Sequence, residues 1–377
     1  MSAHDDAFGA VLAQVDEWVS PRGVPGVAAA VWHGGRVVAE RRAGQSRDGV
    51  PVASDTLFAL ASVTKPIAAA TVLSLVDDGT IDLDLLAGSY LPTFRETSSQ
   101  DPADPDSERG TVTVRHLLSH LSGLPEDVAS RDERLAGVPD LDALTDTLVA
   151  LPLASRPDAV LRYSNAGYAA LARLAETAAR DDFWEMTRRR VLAPLGLDEI
   201  VARPAGADLD RLAHTAGAAN PGTGHESYNS PYWRDLAIPW GGLFGTPAGV
   251  LRFAASFLPD QDAFPNHPLS PESIAAMTTD QAGGVPGGVE SGKVWWDNAA
   301  WGLGWEVKGT KSNHWTGTAT SPATFCHFGQ AGTLVWADPE RDLAMAVFAN
   351  RTVTRMWGFI LPRWARLSDD LVAVVDG

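Results

Sequence analysis

Phe58-Ala59-Leu60-Ala61-Ser62-Val63-Thr64-Lys65-Pro66 is the stretch on which the reading of this 377-residue chain turns. It contains the chain's single Ser-x-x-Lys. Residues i and i+3 share one helix face, so the Lys65 ammonium can lie beside the Ser62 hydroxyl. Pro66 places the helix start: proline lacks an N–H, which does no harm only in the first turn, where N–H groups have no partner anyway. Ser62 then stands where free N–H groups and the positive end of the helix dipole converge. A serine there, with a desolvated lysine one turn along, has the outline of an activated nucleophile. Taken alone, the same residues equally describe an N-cap serine and a solvated lysine.

Two further motifs bear on the choice. Tyr163-Ser164-Asn165 lies between an extended stretch and an alanine-rich helical pattern. A lysine close to a tyrosine stabilises the phenolate and brings it towards use as a general base. His327-Phe328-Gly329-Gln330 ends an apolar strand pattern. A glycine there lets backbone approach a ligand closely, and the N–H of Gln330 could pair with that of Ser62 as an oxyanion hole.

Together, in this order and context, the three motifs resemble the serine β-lactamase and penicillin-binding-protein superfamily. More narrowly they resemble its class C-related branch of family VIII-type carboxylesterases, D-aminopeptidases and related serine hydrolases. The likeness runs from about Pro25 to Asn350 and includes Val114-Arg115-His116-Leu117-Leu118-Ser119-His120-Leu121-Ser122-Gly123-Leu124 and Gly241-Gly242-Leu243-Phe244. Gly332-Thr333-Leu334-Val335-Trp336-Ala337-Asp338-Pro339 fits as well. The resemblance implies Ser62 as the acylated nucleophile and Lys65 with Tyr163 as the proton-transfer pair. Asn165, His327, Gly329 and Gln330 are then expected to bind substrate, with the N–H groups of Ser62 and Gln330 as the oxyanion hole. It implies no metal and no cofactor.

One departure narrows the substrate. Where β-lactamases often read Lys-Thr-Gly, this chain reads His327-Phe328-Gly329. Histidine is mostly neutral at pH 7 and phenylalanine has no hydroxyl, so binding of a substrate carboxylate is expected to be weak. The expected reaction is hydrolysis of a carboxylic ester through an acylated Ser62. The alternatives on the same residues are an amidase or D-aminopeptidase, a weak β-lactamase or an acyltransferase. A non-catalytic penicillin-binding-like sensor fits less well, because all three motifs keep competent residues.

Patterning around these motifs predicts an interleaved α/β (α+β) fold. A helix is expected near Ala7–Val19, a hairpin over Gly26–Arg42, and short strands at Trp301–Val307, Thr324–Phe328, Thr333–Ala337 and Leu343–Asn350. A closing helix is expected near Met356–Val374, kinked or restarted at Pro362. Between them the pattern is helical, as at Leu141–Leu151 and Tyr168–Ala179, with a solvated polar loop expected over Arg95–Gly110. The resemblance implies that this is a β-lactamase/transpeptidase-like fold, an antiparallel sheet flanked by N- and C-terminal helices. Residues 1–80 and 236–377 would form the sheet domain and 81–235 an inserted, mostly helical domain, with the active site in the cleft between them.

Composition sets outer limits. The chain carries 47 acidic and 30 basic side chains, a net charge of -17, which disfavours nucleic acid and anionic membranes as partners. A small-molecule ester or amide is the expected partner. Its single cysteine, Cys326, and its acidic opening residues, with no apolar run after them, lead to the expectation of a cytoplasmic protein. His116 and His120 have a spacing that can bind zinc, but without an accompanying His-Glu-x-x-His glutamate they are expected to be structural. Cys326 beside His327 is expected to be a buried packing residue, because neighbours on a strand face opposite ways. Thirteen tryptophans are many for this length. Packing explains most of them, while Trp233 and Trp301 are candidates for the wall of an apolar acyl pocket.

Overall fold

The computed structural model of the chain describes residues 3–96, 99–128, 137–260 and 262–377. Its centre is a seven-stranded, wholly antiparallel sheet made from the two ends of the chain. The strands are β1 (Gly26–His33), β2 (Arg36–Arg47), β3 (Val50–Pro51), β10 (Glu306–Val307), β11 (Phe325–Gly329), β12 (Thr333–Asp338) and β13 (Leu343–Ala349). They lie in the order β10-β11-β12-β13-β1-β2-β3, so the first hairpin is stitched to the last strand with Val27 opposite Ala349 and Val31 opposite Met345. Gly34 and Gly35, at φ 59° and 77°, close the first hairpin, the two positive values that its tight turn requires.

Strand alternation assigns the two faces. Val27, Ala29 and Val31 pack with Leu334, Trp336, Met345 and Val347 beneath helix α1 (Ala3–Leu12) and the closing helix Trp357–Asp376. Ala28, Ala30 and Trp32 turn the other way, with Val335, Ala346 and Phe348, onto α2 (Thr64–Asp77) and the helix Pro247–Ala255. Both faces are covered, which is why these strands read as near-continuous apolar runs. Helix α2 is buried on nearly every side from Thr64 to Leu75; a helix enclosed by protein needs no polar face.

Two three-stranded sheets bring the motif-bearing loops together. β4 (Phe58–Ala59), which leads into Ser62, pairs with β7 (Phe244–Gly245), and β7 also pairs with β6 (Ile200–Val201). β5 (Leu161–Arg162), which leads into Tyr163, runs parallel to β8 (Gly287–Val289), which in turn pairs with β9 (Val294–Trp296). Strand pairing therefore links residues 161–201 with residues 244–296, across the position 235/236 expected as a boundary.

Several expectations are refined. The closing helix runs through Pro362 without restarting. Of Trp301–Val307, only Glu306 and Val307 form a strand of the sheet. Arg95–Gly110 is not a solvated loop throughout. Arg109 within it is fully buried, donating to Phe94 O and Leu151 O at 2.7 Å each and pairing with Asp106. A buried guanidinium needs such acceptors, and backbone carbonyls in and just past short helices supply them. Among the described residues, no helix is long and apolar enough to cross a membrane.

Candidate active site

Ser62 sits on a single turn of 3₁₀ helix, Ala61–Val63, that runs directly into α2. Ala61, just before it, is held at φ 47°, a region that a side chain makes costly by about 1 kcal/mol or more. The surroundings enforce that turn. Leu60 N–H donates to Leu243 O, the Thr333 hydroxyl donates to Leu60 O at 2.9 Å, and Leu243 N–H donates to Thr64 Oγ1 at 3.2 Å. Gly329 completes the fit, because a Cβ there would overlap Leu60 O and Thr333 Oγ1.

Lys65 is fully buried. Its ammonium donates to Ser62 Oγ at 3.3 Å, to Asn165 Oδ1 at 2.8 Å and to the carbonyl of Trp240 at 2.8 Å. It also stands 4.7 Å from the centre of the Tyr163 ring. Motifs about a hundred residues apart in the chain thus meet around one cation. Asn165 is oriented from its other end as well, where its Nδ2 donates to Asp127 Oδ2 at 3.0 Å. The amide therefore has a defined sense, oxygen to the lysine and nitrogen to the carboxylate. Asn165 opens the helix Asn165–Ala179, capped by the Ser164 hydroxyl on Gly167 N–H at 2.9 Å. The capping serine and the site residues flanking it thus come from one short loop.

Beside Ser62 opens a small cavity, continuous with solvent. Ser62, Tyr163, Asn165 and Gln330 all line it, as do Phe328 and the aromatic residues Tyr228, Trp233 and Trp240. Its opposite side carries Glu126, Asp127 and Ser291, with Ser291 N–H donating to Glu126 Oε2 at 2.8 Å. Asp127, Glu126 and the Trp240 carbonyl went unnoticed in the sequence. Asp127 follows the Leu121–Leu124 motif within three residues, but nothing in its local pattern announces a contact with residue 165.

Two of the expected substrate-binding residues, His327 and Gly329, do not line the cavity. Alternation along β11 gives the wall to Phe328, and His327 is turned beneath the Tyr163 ring, with centroids 5.8 Å apart. Burial, reinforced by the positive charge of Lys65, lowers its pKa to about 3. The imidazole is therefore neutral, hydrogen-bonded at 2.8 Å between Nδ1 and Phe328 O. Gly329 acts through close packing on the serine turn. Of the two tryptophan candidates, Trp233 lines the cavity, whereas Trp301 lies behind Tyr163 at 5.7 Å between ring centres.

The remaining candidates resolve locally. His116 Nδ1 accepts from Thr113 N–H at 3.1 Å in a helix cap and its Nε2 meets Asp158 at 3.0 Å, so it shares no site with His120. Cys326 is buried on the sheet; burial holds its thiol protonated by raising its pKa well above the usual value. Among the described residues, the one group whose donor atoms converge as metal ligands would is Glu306, His314 and Cys326. Its carboxylate is paired with Lys311, whose Nζ lies 2.8 Å from Glu306 Oε1.

The chain is similar to known proteins over most of its length. The family model described as "Beta-lactamase" matches residues 11–365. Penicillin-binding protein 4 of Amycolatopsis lactamdurans is 33% identical over 267 residues, which is 69% of this chain and 64% of that protein. The chain thus spans a little under two thirds of that relative's length. A beta-lactamase from Mycobacterium bovis is 27% identical and superposes with a TM-score of 0.65 over 97% of this chain and 99% of its own. A family VIII carboxylesterase, at 22% identity, shares the fold with a TM-score of 0.75 over 98% and 96% of the two chains.

Proposed function

Because this chain belongs to the beta-lactamase family, we propose that it is a serine hydrolase that cleaves carboxylic esters of uncharged acids through an acylated Ser62. The observation that carries the reading is the Lys65 ammonium, buried and hydrogen-bonded at once to Ser62 Oγ and Asn165 Oδ1, with the Tyr163 ring over it. In this reading the Ser62 proton passes to the Lys65–Tyr163 pair as Oγ attacks the ester carbonyl. The N–H groups of Ser62 and Gln330 hold the carbonyl oxygen as it becomes an anion. Collapse expels the alcohol, which takes the proton, and water then attacks the acyl-enzyme by the same route in reverse.

The preference for an uncharged acid is supported by what the cavity offers. Its described wall carries two carboxylates, Glu126 and Asp127, and no arginine or lysine. His327 is neutral and turned away, and Phe328 has no hydroxyl, so a substrate carboxylate would lack a counter-charge there. A second reading, acylation by a β-lactam or a D-alanyl peptide, is favoured by the relative named as a penicillin-binding protein.

Turnover of p-nitrophenyl butyrate, nitrocefin and D-alanine p-nitroanilide separates the two. Rapid hydrolysis of the ester, with a butyryl adduct on Ser62 by mass spectrometry, is expected. Nitrocefin turned over faster than the ester would install the second reading. Ser62→Ala with undiminished ester hydrolysis would overturn both.

A further inference from the structure

His120, left aside as one half of an unused histidine pair, does more than fill space. We propose that His120 is a positioning residue for Tyr163, clamping the backbone on both sides of it so that the phenol stays against Lys65. The proposal rests on the reading above, in which Tyr163 moves protons.

Two hydrogen bonds carry it. Arg162 N–H donates to the carbonyl of His120 at 2.9 Å, and Ser164 N–H donates to its ring Nδ1 at 3.0 Å. Those N–H groups belong to the two residues that flank Tyr163 in the chain. The N–H of Tyr163 itself donates to Gly288 O on β8 at 3.3 Å. Three successive peptide groups are therefore held, two of them by one residue.

The backbone of His120 is bent to make this possible. It lies at φ 62°, in the left-handed region that non-glycine residues rarely enter, just past the helix Val114–Leu118. Such strain persists where surrounding structure over-determines it and gathers at functional sites. The imidazole also presses on the phenol directly, with ring centres 4.6 Å apart, and is backed by Tyr168 at 5.3 Å and Trp301 at 5.0 Å. His120 is fully buried.

The clamp requires a neutral ring of one tautomer. Accepting at Nδ1 places the remaining proton on Nε2, which has no hydrogen-bond partner among the described residues. Protonation at Nδ1 would break the bond to Ser164 and set a second cation beside Lys65. Burial, with the charge of Lys65, lowers the His120 pKa well below the usual histidine value. The titratable groups packed around Tyr163 include Lys65 from α2, His120 and, from β11, His327.

Two variants suited to a left-handed backbone separate clamp from filler. His120→Asn can place Oδ1 where Nδ1 was, while His120→Gly supplies no acceptor; both remove the ring. With p-nitrophenyl butyrate, the glycine variant is expected to lose about 100-fold in kcat with KM changed less than threefold. Its acid limb of kcat/KM should move up by half a pH unit or more, because a phenol that drifts from Lys65 is harder to ionise. The asparagine variant should recover at least tenfold of that loss. Equal losses in the two variants, in step with their melting temperatures, would overturn the proposal.

Nitrogen NMR of the unmutated protein gives a readout that does not depend on a variant folding. It should show His120 neutral and protonated at Nε2 at pH 6; the opposite tautomer would refute the clamp. Tyr163→Phe keeps the two readings apart. If it is inactive while His120→Gly keeps full activity, only this proposal falls. If it is fully active, the role of Tyr163 and the clamp fall together.

Discussion

Nζ of Lys65 lies 2.8 Å from Oδ1 of Asn165, although a hundred residues separate them in the chain. The contact joins the buried helix α2 to the start of the helix Asn165–Ala179, and it is made between a cation and an amide whose other end is tied to Asp127. A buried ammonium needs acceptors in place of water. Asn165 supplies one without adding a negative charge, which would hold the lysine more tightly in its protonated form.

Asn165→Ala should therefore weaken catalysis and stability together. A hydrogen bond to a charged group is worth about 1.5–3 kcal/mol. The expected loss in kcat is then roughly 10- to 100-fold, read from ester hydrolysis with the folded fraction checked by circular dichroism. Asp127→Ala, which frees the amide to rotate, should fall between this variant and the unmutated protein. Full activity in both would show that the relay does not matter.

Gly329→Ala tests the packing under the serine turn. The added methyl would meet Leu60 O and Thr333 Oγ1, fixed backbone and a committed hydroxyl, so β11 or the turn must shift. Overpacking of this kind costs about 1–3 kcal/mol. A drop in melting temperature is expected, with a larger loss of activity than the stability change explains, since the shift displaces Ser62. A fully active, equally stable variant would contradict this close packing.

Acid should destabilise the protein well before its exposed carboxylates matter. His327, at about 3, and His120 and His314, both lowered by burial, are neutral when folded. Unfolded histidines take up protons below about pH 6.5. Their contribution is complete above that pH and is lost as pH falls towards 3, at up to about 1.4 kcal/mol per pH unit for each. Glu306 adds to the loss from about pH 4.5 downwards. Burial raises its pKa, but the charge of Lys311 and the hydrogen bonds from Lys311 and His314 outweigh this and bring it to about 2. Urea unfolding at pH 7, 5.5 and 4.5 measures the slope, and a flat profile would mean that these histidines are already charged in the fold.

Trp233→Ala and Trp301→Ala should differ. Trp233 lines the cavity, so its loss should extend the accepted acyl chain by several carbons in a p-nitrophenyl ester series. Trp301 stands behind Tyr163 and His120, so its loss should lower kcat for all chain lengths alike. The same chain-length profile in both variants would refute the distinction.

Glu306→Leu should be severe, because it leaves Lys311 buried with backbone acceptors alone. Breaking one side of such a pair costs about 3–5 kcal/mol. A fall of roughly 5 °C in melting temperature is expected on that basis, and a shift under 2 °C would show the pair to be dispensable.

Much of this was legible without coordinates because it is local. Ser62 and Lys65 share a face by helical spacing, and Pro66 dates the helix start. The glycine pair closes the first hairpin, and near-continuous apolar runs along β1 and β13 mark strands buried on both sides. Less local features misled. Arg95–Gly110 reads as solvated because its charges dominate the pattern, yet Arg109 finds acceptors on Phe94 and Leu151 and is buried. Nothing in the local pattern announces that Lys308 and Lys311 are buried, one among threonines and the other against Glu306.

What the sequence determined by itself was the set of reactive groups and the order in which they occur. Helix spacing, turn chemistry and strand alternation act over a few residues and need no distant partner. The tertiary structure alone decided which of those groups share a wall. It set Lys65 between Ser62 and Asn165, turned Phe328 rather than His327 to the cavity, and put His120 astride Tyr163. Those outcomes depend on the register between strands and on the close approach of loops far apart in the chain. Backbone carbonyls such as that of Trp240, and a side chain such as Asp127, become partners only when packing delivers them.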